Sequence, residues 1–472
     1  MIKSFIKKSV AVLIVLILLL SCSVCAVEFS DASTGKSLNI TATGAILIDL
    51  DTNTILYKRN INNECRPASL TKMMTLLVAY EQLSSRLDEL VSITSEMIEV
   101  PKDSSCADLR RGDKISIHDL LYAMMLPSGN DAAKSLAYIV SGNEENFALL
   151  MNAKALELGM TSSSFKNAHG FDENGHYTTT KDLGILSVEL CKIPALVEIF
   201  SSYKYTATIY PDGDLNAPTK TTWYNSNNML NPNSYLHFDG LKGIKTGYTN
   251  LAGNCLASYY EKDGRRLVCV VTHSDAKHRD SDTKTVIKYG LDNFDTFNVK
   301  DVFSQKRIII DLENASLTDD SNGQLELYLD GGEDKYITVS KSEGNKIRTF
   351  DENTITIRYP VIKAPIKAGD NAGKVEFIYN NEVLFASSVL ASRSVDAEIE
   401  SPRDLVSMGI EGKTRISWSF LTNKYFIIIF SASLVLIIAA AVLFTLRRRQ
   451  VLRIRLRQKN GIKRSRRRGS ML

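Results

Sequence analysis

Three short motifs in this 472-residue chain carry side chains that can act together on a carbonyl group: Ser69-Leu70-Thr71-Lys72, Ser128-Gly129-Asn130 and Lys245-Thr246-Gly247. A serine hydroxyl is a weak nucleophile until a neighbouring base takes its proton. A lysine three residues further along a helix shares the serine's face. It can serve as that base if burial or a second cation makes it give up its own proton more readily. Singly, the first two motifs are weak signals. Ser-x-x-Lys also occurs at Ser4, Ser33, Ser163, Ser201, Ser274 and Ser281, and Ser-x-Asn at Ser37, Ser141 and Ser226, whereas Lys-Thr-Gly occurs once. Taken alone, Ser69 and Lys72 read as a helix N-cap with an exposed lysine. The ordered set of three outweighs that reading.

The elements around the motifs fit such a site. Pro67 precedes a helical stretch from Ser69 to about Leu83, so Ser69 stands where free backbone N–H groups and the helix dipole favour developing negative charge. Pro127 breaks the chain between helical patterns at 117–125 and 131–140, which lets Ser128 and Asn130 project into a cleft. Further helical patterns run over 145–158, 181–190 and 282–294. Residues 42–58 read as a hairpin turning at Asp51-Thr52-Asn53, and strands return at 253–260 and 266–272. Strands at both ends with helices between them predict one sheet assembled from distant segments, an α/β (α+β) catalytic domain over 27–296. From 297 to 391, short β-rich runs alternate with Gly, Asp and Asn turns, predicting a small all-β domain. Residues 392–424 read as a stalk.

The ends bear on location. Lys3, Lys7 and Lys8 precede an apolar run from Val10 to Leu20 and a small-residue exit, so residues 1–26 read as a signal peptide cut after Ala26. A lipoprotein site at Cys22 is the rival reading. Residues 425–446 carry no charge and are long enough to span a bilayer. The tail 447–472 then brings twelve Lys and Arg residues and no acid, which places it on the cytoplasmic side and the enzyme body outside. Setting tail and signal aside turns the formal net charge of +4 into an acidic balance for the exported part, which argues against nucleic acid as a partner. Five cysteines remain after the signal, widely spaced, with no CxxC pair; Cys65, four residues before Ser69, is expected near the site. Six histidines form no His-Glu-x-x-His pattern, so neither a metal nor a cofactor is implied.

The residues 67–75 (Pro-Ala-Ser-Leu-Thr-Lys-Met-Met-Thr), 125–133 (Met-Leu-Pro-Ser-Gly-Asn-Asp-Ala-Ala) and 243–249 (Gly-Ile-Lys-Thr-Gly-Tyr-Thr) closely resemble the low-molecular-mass penicillin-binding proteins, the serine-type D-alanyl-D-alanine carboxypeptidases. Residues 167–172 and 363–373 resemble two further stretches of that family. The resemblance implies a serine β-lactamase-like transpeptidase fold: an antiparallel sheet flanked by helices, with a helical subdomain. It implies Ser69 as nucleophile, Lys72 as base, Ser128 as proton relay and Asn130 as the holder of Lys72 and the substrate amide. Lys245, Thr246 and Arg279 would take the terminal carboxylate. The backbone N–H groups of Ser69 and of Tyr248, which follows Gly247, would form the oxyanion hole. The implied partners are a peptidoglycan stem pentapeptide ending in D-Ala-D-Ala and β-lactam antibiotics as covalent inhibitors. Family members commonly end in an amphipathic interfacial helix, where this chain has an apolar run. A class A β-lactamase shares the three motifs but needs a deacylating glutamate, and no Glu-x-x-Leu-Asn lies between Ser128 and Lys245. A penicillin-binding sensor that acylates without turnover keeps every motif and stays open.

Overall fold

Burial on both faces makes one short strand the centre of the molecule. The computed structural model describes residues 27–398 apart from position 103. In it, β1 (Gly44–Asp49) and β2 (Thr54–Arg59) form the expected hairpin. All six residues of β1 are buried. Ile46 and Ile48 face one apolar core while Ala45 and Leu47 face another, the pattern of a strand covered on both sides. Three strands from much later in the chain complete the sheet: β3 (Leu241–Thr249), β4 (Gly253–Lys262) and β5 (Arg265–Ser274). The order across it is Ser30–Asp31, β2, β1, β5, β4, β3. Each long strand is antiparallel to its neighbour, and β3 is an edge.

The helices lie close to where the hydrophobic spacing puts them: α1 (Thr71–Leu83), α2 (Ile117–Met125), α3 (Asn130–Ser141), α4 (Glu144–Glu157), α5 (Thr180–Cys191) and α6 (Arg279–Asn293). Leu183 and Leu186 of α5 share the core of Ile46 and Ile48, and Val286 and Ile287 of α6 share that of Ala45 and Leu47. The sheet is therefore sandwiched. Helix α1 is buried almost all round, as a helix at the middle of a core must be. A second sheet of four strands (Leu90–Ser92, Lys114–Ser116, Lys204–Tyr210 and Thr219–Tyr224) was not anticipated. Its strands are short or rich in Thr and Lys, with little apolar signal.

Beyond α6 the chain enters β6 (Phe294–Asn298) directly, and the boundary expected between 296 and 297 falls inside this strand. A five-stranded antiparallel sheet follows, in the order β7 (Ile308–Asp311), β8 (Gln324–Asp330), β12 (Glu382–Ala391), β11 (Asn371–Tyr379), β10 (Ile355–Arg358). The sheet encloses its own core around Val375, Phe377 and Val389. Strand β9 (Tyr336–Ser340) pairs instead with β6. The region is not all-β: Val299–Phe303 and α7 (Lys341–Arg348) are helical. Ser340 and Glu343 cap each other at the start of α7, a Ser-x-x-Glu capping box readable in the sequence. Among the described residues no helix is long and apolar enough to cross a membrane. The signal expected at 1–26, the span at 425–446, the tail at 447–472 and nearly all of the stalk lie outside the described residues.

One buried carboxylate ties the start of the fold to the helix that carries Arg279. Asp282 of α6 accepts hydrogen bonds from the backbone N–H groups of Thr41 (3.1 Å) and Ala42 (2.8 Å) and from the hydroxyls of Thr41 (2.9 Å) and Ser274 (2.8 Å). Asp282→Ala leaves the buried Ala42 N–H without a partner. Since an unsatisfied buried group costs about 1–3 kcal/mol, denaturant unfolding of the variant should show a loss in that range. An unchanged midpoint would mean the anchor contributes nothing.

Candidate active site

Ser69 sits in a 3-10 turn, Ala68–Leu70, that leads into α1. The turn is clamped between two glycines. Gly170 has φ +90°, and a Cβ on it would lie 1.8 Å from the Ala68 carbonyl oxygen. On the other side, a Cβ on Gly247 of β3 would lie 3.2 Å from the Ser69 nitrogen. Ala68 itself has φ +49°, a costly conformation for a residue with a side chain. The nucleophile is thus held by packing on a strained turn, with its backbone N–H beside the edge strand.

Lys72 lies one turn further on and is fully buried. Its Nζ is 3.0 Å from Ser69 Oγ, 2.6 Å from Asn130 Oδ1 and 2.9 Å from the His169 carbonyl oxygen. Two of these three partners can only accept. A neutral amine has two N–H donors and one lone pair, so carbonyl oxygens at Asn130 and His169 occupy both donors and leave the lone pair for the Ser69 hydroxyl. Burial pushes the Lys72 ammonium well below the usual lysine range, and the nearby Lys245 cation pushes it the same way. Lys245 is also fully buried; burial first and Arg279 second lower it to about 7. Asp131 is the nearby acid, yet its carboxylate is occupied by the backbone N–H groups of Ala107, Leu109 and Ala132.

The second motif forms a tight turn at the start of α3. Ser128 has φ +65°, and a Cβ on Gly129 would lie 2.6 Å from the Ala123 carbonyl. The Asn130 N–H donates to the carbonyl of Ser105 at 2.8 Å, which fixes the segment 104–105 over the site. In the third motif, β3 pairs with β4 through Lys245↔Ala257, Thr246↔Leu256, Gly247↔Cys255 and Tyr248↔Asn254. The Thr246 hydroxyl lies 2.7 Å from that of Ser226. Arg279 stands at the first turn of α6, its guanidinium held by Asp280 at 2.7 Å.

A cleft of about 500 Å³ brings Ser69, Ser128, Asn130, Thr246, Gly247, Tyr248 and Arg279 to one surface. Lys72 and Lys245 are absent from its lining and act from beneath it. Lys245 in particular was expected to hold a carboxylate, but its Nζ is turned towards the Thr246 carbonyl oxygen at 3.1 Å. Sequence reasoning missed Ser226, set aside as a stray Ser-x-Asn match, and the backbone carbonyl of His169. The His169 ring lies 3.5 Å from Glu144, and burial lowers it to about 3, so it is held neutral. Cys65 does not line the cleft, and burial raises its thiol to about 12. Among the described residues no group of three His, Cys, Asp or Glu side chains is placed to hold a metal.

Residues 31–276 match the S11 peptidase family, described as D-alanyl-D-alanine carboxypeptidase. The chain belongs to that family. D-alanyl-D-alanine carboxypeptidase DacF of Bacillus subtilis is 28% identical over 400 residues, covering 82% of this chain and 95% of its own length. Penicillin binding protein 5 from Haemophilus influenzae superposes with a TM-score of 0.55 at 25% identity, over 76% of this chain and 99% of that one. The Streptomyces K15 DD-transpeptidase gives 0.51 at 28%, over 54% and 99%. The catalytic part therefore has the α/β fold of the penicillin-binding proteins. Within this S11 family site, the coupling of the two lysines makes a directional prediction. If Lys72 is the base that frees Ser69, acylation by benzylpenicillin should rise with pH through the Lys72 titration. Lys245→Met removes a cation that depresses Lys72, and the acid limb should move to higher pH. A limb at the same pH in variant and wild type would exclude that coupling.

Proposed function

We propose that the chain is a serine-type D-Ala-D-Ala carboxypeptidase that removes the terminal D-alanine from peptidoglycan pentapeptides and is acylated by β-lactams. The observation that carries the reading is the buried Lys72 Nζ, 3.0 Å from Ser69 Oγ and 2.6 Å and 2.9 Å from the carbonyl oxygens of Asn130 and His169. Family membership supports the substrate, and the relatives are named for this activity.

The chemistry follows from the geometry. Strand β3 is an edge, so one row of its backbone groups is free to pair with an extended peptide added antiparallel. The terminal carboxylate lies at Thr246 and Arg279 in the field of Lys245. Lys72 takes the proton of Ser69, whose Oγ attacks the carbonyl between the two D-alanines. The oxyanion is stabilised by the N–H groups of Ser69 and Tyr248, a device worth about 2.7–4 kcal/mol per donor. The C–N bond breaks as Ser128 passes a proton to the departing amine, and D-alanine leaves. Water, deprotonated by Lys72, then cleaves the ester and restores Ser69. In a β-lactam the broken amide belongs to a ring, so the amine stays tethered and the ester persists.

The location rests on sequence alone. A basic start with a short apolar run, a charge-free run at 425–446 and a basic tail support an exported body on a single-pass anchor. Carbonate washing should release a chain truncated after Ser417 from membranes and retain the full-length one; release of both would overturn the anchor.

Ser69→Ala should abolish both D-alanine release and covalent penicillin labelling in a protein that still folds. Labelling on another serine would refute the assignment. The wild type should also reject a peptide whose terminal carboxylate is amidated, because a site built around charged pairing discriminates strongly against the analogue that lacks it. Arg279→Ala should narrow that gap. Equal cleavage of acid and amide by the wild type would point to an endopeptidase.

A further inference from the structure

The Thr246 hydroxyl, where the chemistry above sets the terminal carboxylate, has a single partner among the described residues. That partner is Ser226 Oγ, 2.7 Å away. Ser226 stands two residues beyond the strand Thr219–Tyr224 and lines the cleft with its side of the residue exposed, whereas Thr246 is buried in β3. The Ser226 backbone N–H donates to the carbonyl of Leu126 at 2.9 Å, two residues before Ser128. One serine thus joins the segment carrying the second motif to the middle of the third.

The placement of Ser226 does not depend on its hydroxyl. The buried Asn225 side chain donates to the carbonyls of Phe200 (3.2 Å) and Ser202 (3.1 Å), and the Asn225 backbone N–H donates to that of Tyr203 at 2.7 Å. On the other side, the Asn227 N–H donates to Asn225 Oδ1 at 3.0 Å, and Asn227 Oδ1 accepts from the Met229 N–H at 3.1 Å. Together with the bond to Leu126, these contacts fix the backbone of 225–227 without using Ser226 Oγ. The hydroxyl is left for Thr246.

A hydroxyl has one hydrogen to give and two lone pairs. Two hydroxyls 2.7 Å apart therefore share one hydrogen and leave the other free. A carboxylate only accepts, so an anion at Thr246 selects one order: Ser226 donates to Thr246 Oγ1, and Thr246 donates to the anion. Donors chained in this way polarise one another, and a charged acceptor gains more from them than a neutral one. We propose that Ser226 is a positioning residue for the carboxylate subsite, holding the Thr246 hydroxyl as a donor aimed at the C-terminal carboxylate of the peptide. This rests on the carboxypeptidase reading above. The carboxylate is bound in the ground state and the transition state alike, so the contribution falls on KM rather than kcat. One net hydrogen bond makes it about fivefold.

The test measures D-alanine release by the full-length protein in detergent, from Nα,Nε-diacetyl-lysyl-D-Ala-D-Ala and from its C-terminal amide. Ser226→Ala should raise KM for the acid about fivefold and leave kcat in place. Its kcat/KM for the amide should change less. Ser226→Thr keeps a hydroxyl and should behave as the wild type. In a Thr246→Ala background, Ser226→Ala should have no further effect, because its action passes through Thr246. Thermal unfolding of Ser226→Ala should match the wild type. An unchanged KM, a fall confined to kcat, a loss that adds in full to that of Thr246→Ala, or a lowered unfolding midpoint overturns the inference. The wild type keeps the two levels apart. Normal D-alanine release with an unaffected Ser226→Ala defeats the positioning role alone, whereas absent release and absent benzylpenicillin labelling in the wild type defeat the carboxypeptidase reading and this inference with it.

Discussion

The site depends on the burial of one amine with no carboxylate to pair with it. An isolated charge moved into the protein interior is very costly, and the usual response is loss of the charge. Lys72 is buried among carbonyl acceptors, a hydroxyl and a second buried lysine. A carboxylate in contact would have favoured its charged form. Asp131 is close enough to act on it electrostatically, but three backbone N–H groups already claim its oxygens. Much of the local architecture serves this arrangement. The loop before α5 brings the His169 carbonyl under α1, and the turn before α3 brings in Asn130.

Two strained residues bracket the chemistry. Ala68, directly before the nucleophile, and Ser128, in the second motif, both adopt left-handed φ values. Such conformations cost of order 1–3 kcal/mol each and persist where surrounding packing imposes them. Here the imposing contacts are identifiable. Gly170 and Gly247 leave no room for the Ser69 turn to relax, and Gly129 is pressed against the Ala123 carbonyl. A side chain at Gly170 would collide with backbone, so this glycine is as necessary to the site as the groups that react.

Much of the site was legible in the sequence because its residues lie in short contiguous motifs on elements with strong hydrophobic spacing. Ser69 and Lys72 share a helix face by their spacing alone. Pro127 marks the break that exposes Ser128. The less legible parts depend on main-chain atoms or on long-range assembly. The His169 carbonyl has no side-chain signature, and Ser226 reads as an ordinary loop serine until the sheet brings Thr246 to it. The edge position of β3 follows from strand order, which no local pattern reports. The Thr-rich strands of the four-stranded sheet carry too little apolar alternation to register. In the C-terminal region the capping pair Ser340 and Glu343 stood in the sequence, but the reading of 297–391 followed the β-rich runs and did not use it.

An exposed sheet edge is ordinarily a hazard, since unpaired backbone groups invite another strand. In this fold the edge is put beside the nucleophile, so a peptide that pairs with β3 has its carbonyl carried towards Ser69 Oγ and the Ser69 N–H. The same geometry accounts for the susceptibility to β-lactams. In the reading proposed above, the site recognises a carbonyl beside a strand edge with a carboxylate set at Thr246 and Arg279, and a fused lactam ring presents both groups. Binding discriminates poorly between the two because the recognised features are shared. The difference lies in the leaving group. A departing D-alanine vacates the space through which water must come, while a ring-opened amine stays attached and keeps it filled.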